Sequence, residues 1–277
     1  MRPVSYNIGM GAVYSVAPKH LTGQSVRCFI LSINPHSAPP VIIALDFPTP
    51  ADALAFVRRF PHPEELFCKV GMELYYQGGT AIVQALQSLG VRVFLDLKLH
   101  DIPNTVESAG RIIGALGVAL TTVHAQGGSV MMAAAKRGIR DGAAASGVAP
   151  AKILAITQLT STSPTALRDE QQVAVPLPES VNHLAQLAAT SGLDGVVSSA
   201  AEVARMQPGL PDDFLFITPG IRLANAVHDD QVRVMTPDAA RRAGSRGIVV
   251  GRPITQAADP VAAYQHIKSL WEEPLNE

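Results

Sequence analysis

From Val41 onward, short β-branched runs alternate with amphipathic or alanine-rich segments, and the alternation repeats eight times. The runs are Val41 to Leu45, Leu66 to Val70, Val91 to Leu97, Val118 to His124, Ile153 to Gln158, Gly195 to Ser198, Phe214 to Thr218 and Gly247 to Gly251. Helical segments lie between them, among them Ala51 to Phe60, Thr80 to Leu89, Ser129 to Ala145, Ser180 to Ser191, Pro237 to Ala243 and Pro260 to Trp271. A strand, a crossover helix and a further strand make a right-handed βαβ unit, and such units in series make a parallel sheet. Eight units suggest closure. The expected fold is therefore α/β, a (β/α)8 barrel of the TIM type over residues 41–277. With 277 residues, 47% of them hydrophobic and 16% charged, the chain can fill such a core as one domain.

In a barrel of this kind the chemistry sits at the C-terminal ends of the strands. Asp46, Lys69, Asp96 with Lys98, His124, Thr160, Pro219 with Gly220 and Arg222, and Gly251 with Arg252 all fall at or just after those ends. The opposite ends carry turn residues such as Gly90, Gly117 and Gly192. Titratable and small polar groups thus gather at one mouth.

The third run is the most informative. In Val93-Phe94-Leu95-Asp96-Leu97-Lys98-Leu99, period two sends Asp96 and Lys98 to one face and the leucines to the other. A solvated ion pair is the ordinary reading of Asp-x-Lys on a strand, but the apolar flanks suit a strand buried on both faces, where charges need partners or a function. Ile102-Pro103 ends the strand, Asn104 is the expected N-cap with Glu107 completing a capping box, and a helix follows with Val106, Ala109, Ile113 and Leu116 on one stripe.

The last two units suggest an anion site. Gly220 and Gly251 allow close approach of backbone N–H groups, Arg222 and Arg252 add charge-assisted donors, and Pro253 can open a short helix. Between the seventh run and its helix lie the thirteen residues from Leu223 to Met235, longer than the usual two to six. That segment is either a lid or a dispensable surface loop, with Gln231 in reach of a bound phosphate in the first case. Thr236-Pro237 then reads as a cap and first helical residue.

Composition excludes several classes. A net charge of −1 and 5% aromatic residues give neither a basic stripe with stacking platforms for nucleic acid nor a polybasic membrane patch. The longest apolar run, Ile112 to Leu120, holds two glycines and falls short of the ~20 residues of a membrane span. Two cysteines, Cys28 and Cys68, with Cys68 in an apolar run, point to core packing and a reducing cytoplasm, not to a disulfide framework. Residues 1–40 are aperiodic and rich in Gly, Pro, Ser and Asn; they read as an irregular, poorly ordered extension or as a start-site artefact.

The stretch Asp96-Leu97-Lys98-Leu99-His100-Asp101-Ile102-Pro103-Asn104-Thr105 resembles the Asp-x-Lys-x-x-Asp, Ile-Pro-Asn-Thr motif of bacterial orotidine 5′-phosphate decarboxylases. Further similar segments are Ala44-Leu45-Asp46, Lys69-Val70-Gly71, Thr160-Ser161, Asp194-Gly195-Val196-Val197, Thr218-Pro219-Gly220-Ile221-Arg222, Asp230-Gln231 and Gly251-Arg252-Pro253, so all eight units take part. The resemblance implies conversion of orotidine 5′-phosphate to UMP and CO2, the last step of de novo UMP synthesis, with no cofactor and no metal. It implies that Lys98 is the proton donor to C6, that Asp96 sits beside the substrate carboxylate, and that Asp46 and Lys69 complete the charged array and contact the ribose. Asp101 and Thr105 would act across the interface of a homodimer, in the partner's site. Thr160 would contact the base, and Arg222, Gln231, Gly251 and Arg252 would bind phosphate, with Gln231 also bridging to the base. This chain departs from the pattern in its extension and in a lid without glycine from Leu223 to Asp230.

Two other functions fit the same barrel. One is a Mg2+-dependent sugar-phosphate decarboxylase or aldolase with Glu73 and Asp96 as oxygen ligands. The other is a non-catalytic phosphate-binding barrel, which would tolerate loss of Lys98 or Asp96. The Ile-Pro-Asn-Thr continuation and Thr160 favour the pyrimidine reading over the first; the presence of both charged residues favours it over the second.

Overall fold

The computed structural model describes residues 40–206, 208–223 and 235–273. The expectations for the N-terminal extension, for Cys28 and for Gln231 lie outside the described residues. Eight parallel strands close in chain order into a barrel: β1 (Val41–Ala44), β2 (Phe67–Val70), β3 (Arg92–Leu99), β4 (Leu120–His124), β5 (Lys152–Ile156), β6 (Gly195–Val197), β7 (Leu215–Thr218) and β8 (Gly247–Val250), with β8 pairing back onto β1. Around them run α1 (Pro50–Val57), α2 (Met72–Ser88), α3 (Pro103–Ala115), α4 (Gly128–Ser146), α5 (Leu177–Thr190), α6 (Ala200–Met206), α7 (Pro237–Arg242), α8 (Arg252–Thr255) and α9 (Pro260–Glu272). All eight expected strands are present.

Strand alternation divides the core in two. Ile42, Phe67, Phe94, Leu120, Leu154, Leu215 and Val249 pack inside the barrel, while Ile43, Cys68, Val93, Leu95, Val123 and Ile153 face outward onto the helices. Each fully buried side chain of this size contributes about 1.5–3 kcal/mol of transfer free energy. The turns at the N-terminal ends use Gly90, Gly117 and Gly192 at φ of 82°, 66° and 77°.

Three local expectations are corrected. Asn104 is not the cap of α3: Ile102, held extended at φ −56° and ψ 148° by the following proline, takes that place, Pro103 is the first helical residue, and no side chain caps the end. Glu107 instead reaches sideways to Arg111 at 2.8 Å and to Arg137 of α4 at 2.7 Å. The helix expected from Thr80 begins at Met72 and is broken by Gly79, whose φ of 54° and ψ of −145° are not helical. Thr236 takes the N-cap position of α7 and Pro237 is its first helical residue, as expected, although the Thr236 side chain makes no capping hydrogen bond.

The closest packing outside the barrel joins α3 to α4. A Cβ built on Gly142 would lie 1.9 Å from the carbonyl oxygen of Arg111, one on Gly138 2.1 Å from that of Glu107, and one on Gly114 2.2 Å from that of Ile139. The two helices therefore touch backbone to backbone.

Candidate active site

Period two, carried upward from the inner layer, sets a polar tier at the mouth: Asp46 above Ala44, Lys69 above Phe67, Asp96 above Phe94, Thr122 and His124 above Leu120. These side chains meet. Lys69 Nζ lies 3.5 Å from Asp46 Oδ1 and 3.7 Å from Asp96 Oδ2, and Lys98 Nζ donates to Asp96 Oδ2 at 2.8 Å. Thr122 Oγ1 donates to Asp96 Oδ1 at 2.8 Å. The result is a line of alternating charge, Asp46, Lys69, Asp96, Lys98, with the inner carboxylate 7% exposed.

Two glycines border this line. A Cβ on Gly71, the N-cap of α2, would lie 3.2 Å from Lys69 Nζ, and one on Gly251, the N-cap of α8, 3.6 Å from Asp46 Oδ2.

Lys98 reaches its position through an irregular backbone. Its φ is +52°, a left-handed conformation that costs a residue with a side chain about 1–2 kcal/mol. The cause is a bulge: Leu95 pairs with Thr121 and Leu99 with Val123, so Asp96, Leu97 and Lys98 together face Thr122 alone. The Lys98 N–H leaves the ladder and donates to Thr122 Oγ1 at 2.9 Å.

Electrostatics favour an ionised Asp96. Burial pushes its carboxyl up, but Lys69, Lys98 and the hydrogen bonds from Lys98 and Thr122 outweigh burial and hold its pKa below the usual carboxylate value. His124 is lowered as well, which for an imidazole favours the neutral form. Burial, then His100 and Lys98, lower its pKa, so it is neutral at pH 7; its ring stacks 5.4 Å from that of His100, and its buried Nδ1 has no hydrogen-bond partner among the described residues. An ammonium one-quarter exposed at the mouth and backed by a buried carboxylate can hold a proton beside a reacting atom and release it.

Arg222 is half-buried and donates from Nη1 to the Ile221 carbonyl at 3.0 Å. Its own N–H bonds Met235, and Met235 bonds Gly220, closing the base of the long connection after β7. Gly251 and the half-buried Arg252 open α8, as expected for a short helix there. Thr160 lines a cavity of about 400 Å³ with Ser161, Ser163, Ser199 and Glu202, beyond β5. Asp101 and Thr105 are exposed at the corner between β3 and α3, where Asp101 Oδ1 accepts from the Ile102 N–H at 2.6 Å. Glu73 is exposed in the first turn of α2, and among the described residues no three His, Cys, Asp or Glu side chains group as metal ligands.

Sequence reasoning missed Thr122. The available signal was two threonines in an otherwise apolar run, the second in phase with Leu120 and so directed inward.

A sequence profile described as the orotidine 5′-phosphate decarboxylase / HUMPS family matches residues 39–267. This chain belongs to that family. It is 58% identical over 232 residues to an orotidine 5′-phosphate decarboxylase of Lactiplantibacillus plantarum, covering 84% of this chain and 98% of that one. A second relative of the same name, from Latilactobacillus sakei, is 54% identical over 233 residues, again 84% of this chain and 98% of its own. The crystal structure of the orotidine 5′-phosphate decarboxylase from Lactobacillus acidophilus superimposes with a TM-score of 0.77 at 44% identity, covering 84% of this chain and 99% of the other. Family membership and the closed barrel agree, and no helix among the described residues is long and apolar enough to cross a membrane.

Proposed function

We propose that this chain is an orotidine 5′-phosphate decarboxylase that releases CO2 from orotidine 5′-phosphate and forms UMP, closing de novo pyrimidine nucleotide synthesis. The observation that carries the reading is the line Asp46, Lys69, Asp96, Lys98, joined by contacts of 2.8 to 3.7 Å at the mouth of a barrel of this family. In the reaction the bond from C6 to the carboxylate breaks and its electron pair stays on C6. Lys98 Nζ stabilises that carbanion and then gives it a proton. Asp96, ionised and buried, faces the substrate carboxylate; their repulsion is relieved as neutral CO2 leaves. Lys69 and Asp46 hold the array and meet the ribose. Gly251, Arg252, Arg222 and Gln231 take the phosphate, and Thr160 the base, so that binding energy remote from C6 orders the charged groups. No electron-sink cofactor has a step in this scheme.

The working form in this reading is a homodimer with shared sites, in which Asp101 and Thr105 complete the partner's mouth. Both are exposed at the corner between β3 and α3, beside an Ile102 that is 66% exposed, which leaves them open to a second copy. A cytoplasmic location goes with the free, buried thiol of Cys68.

The test is turnover of orotidine 5′-phosphate by the purified chain, followed as loss of orotate absorbance with and without EDTA. Turnover undiminished by EDTA is the expected result. No turnover, or turnover lost with EDTA and restored by Mg2+, overturns the reading.

A further inference from the structure

Beside the charged line lies a buried polar contact that the line itself does not explain. Thr122 is fully buried on β4, and its hydroxyl uses both of its functions on β3: it donates to Asp96 Oδ1 at 2.8 Å and accepts from the Lys98 N–H at 2.9 Å. Because of the bulge it is the sole residue of β4 opposite Asp96, Leu97 and Lys98. A β-branched side chain in a strand has little χ1 freedom, so the aim of this hydroxyl is set by the backbone of β4.

We propose that Thr122 is a positioning residue of the decarboxylation, tying the carboxylate of Asp96 and the backbone of Lys98 to one rigid hydroxyl so that both charged groups meet the substrate in one register. The proposal rests on the decarboxylase reading above. Without the hydroxyl, the Lys98 N–H, turned from the ladder by its left-handed backbone, has no acceptor, and the bulge loses the contact that favours it over a regular strand. The Asp96 carboxylate is freed at the same moment. Since proton delivery demands placement to a fraction of an ångström, loosening of this pair falls on the chemical step and not on phosphate binding.

The neighbouring residue supplies an internal control. Thr121 is equally buried, but it faces the helices and its hydroxyl has no partner among the described residues. Its replacement by valine removes the same atom one residue away with no effect on the charged line.

The experiment uses the full chain and three variants, Thr122→Val, Thr122→Ser and Thr121→Val, each checked for folding by circular dichroism. Expected for Thr122→Val is a fall in kcat of about ten- to a hundredfold, the range for a hydrogen bond to a charged group, with KM and UMP affinity within about threefold. The acidic limb of its kcat profile should move to higher pH by about half a unit or more, because Asp96 loses a donor to its ionised form. That limb also reflects Lys69 from β2, Lys98 from β3, His124 from β4, His100 after β3 and, through Lys69, Asp46 after β1, all of them unchanged by the substitution. Thr122→Ser should keep at least about a third of kcat, and Thr121→Val all of it. If Thr122→Val does not fold, Thr122→Cys takes its place, with the same direction and a fall of at least about fivefold. Wild-type chain without turnover sinks the decarboxylase reading. Active wild type with a folded Thr122→Val, or its cysteine substitute, within twofold of it and with an unmoved acidic limb sinks this proposal alone, as does a serine variant as slow as the valine one.

Discussion

The seam between α3 and α4 makes a graded prediction about four glycines. Alanine at Gly142 places a methyl 1.9 Å from the Arg111 carbonyl oxygen, 2.7 Å from its carbon and 2.9 Å from its Cα, all backbone atoms that no rotamer change can move. To reach even 3.0 Å, the shortest approach real Cβ atoms make, the helices must part by about 1 Å. A gap of 0.5–1 Å already forfeits a quarter to a half of the dispersion attraction across a contact. Overpacking of this kind costs about 1–3 kcal/mol and at times more, while replacing glycine by alanine inside a helix returns about 1 kcal/mol. For Gly142, with Gly138 and Gly114 at 2.1 and 2.2 Å, the clash wins at the upper end of that range, and each alanine variant should lose about 1–2 kcal/mol net. Gly110 is different: its Cβ would stand 3.0 Å from the Ala135 oxygen, so the helix gain offsets the crowding and the variant should lie within about 1 kcal/mol of wild type. Urea denaturation of the four variants reads the order directly. A Gly142→Ala protein as stable as wild type would refute the close approach itself.

Three further outcomes are expected. Lys98→Ala should lower kcat by at least about a thousandfold while UMP still binds, since the deletion removes the proposed proton donor and leaves the proposed phosphate contacts; near-normal turnover would end the mechanism. Lys98→Ala and Asp101→Ala chains, each nearly inactive alone, should recover about a quarter of wild-type activity per subunit when mixed, because a twofold dimer of one of each has one intact site and half the dimers are mixed; mixed dimers seen by mass spectrometry without recovered activity would assign Asp101 to its own subunit. The folded pKa of Asp96 lies below its usual 3.8, so its stabilising contribution is complete above that value and is lost as pH falls through the folded pKa. The stability gap between wild type and Asp96→Asn in urea should therefore be constant near neutrality and shrink below about pH 4; a gap unchanged down to pH 3 would contradict an ionised, partnered Asp96.

The strands and the charged line were legible because both follow from period two. Phe94 and Asp96 share a face by counting alone, as do Phe67 and Lys69, and closure of eight units brings those faces together. What counting misses is whatever departs from the period. The bulge at Lys98 changes no residue type, so Thr122 stayed hidden until Leu99 was seen opposite Val123. Asn104 looked like a cap by composition, but the fixed φ of Pro103 starts the helix two residues earlier. The start of α2 was lost because the expected helix opened at Thr80, just past Gly78 and Gly79, whereas Gly79 is a break within one helix that begins at Met72. The four-residue spacing of Gly110 and Gly114, and of Gly138 and Gly142, was in plain view, but its meaning depends on which helix lies opposite. Asp101 and Thr105 mark the reach of a single chain, since exposure at a corner does not itself name what covers it.

The inner layer of the barrel also settles the traffic of molecules. Ile42, Phe94 and Leu154 are at most 1% exposed and plug the space beneath Asp96, and the strands around them form an unbroken wall. Among the described residues the reaction chamber has a solid floor. Gas formed at C6 cannot drain through the far end of a barrel filled in this way; its way out is upward, toward the mouth. A bulky side chain at the floor, such as Ala44→Leu beside this plug, would raise the floor toward the charged line without narrowing the exit. Changes at the rim are therefore the ones expected to alter how fast the chamber empties.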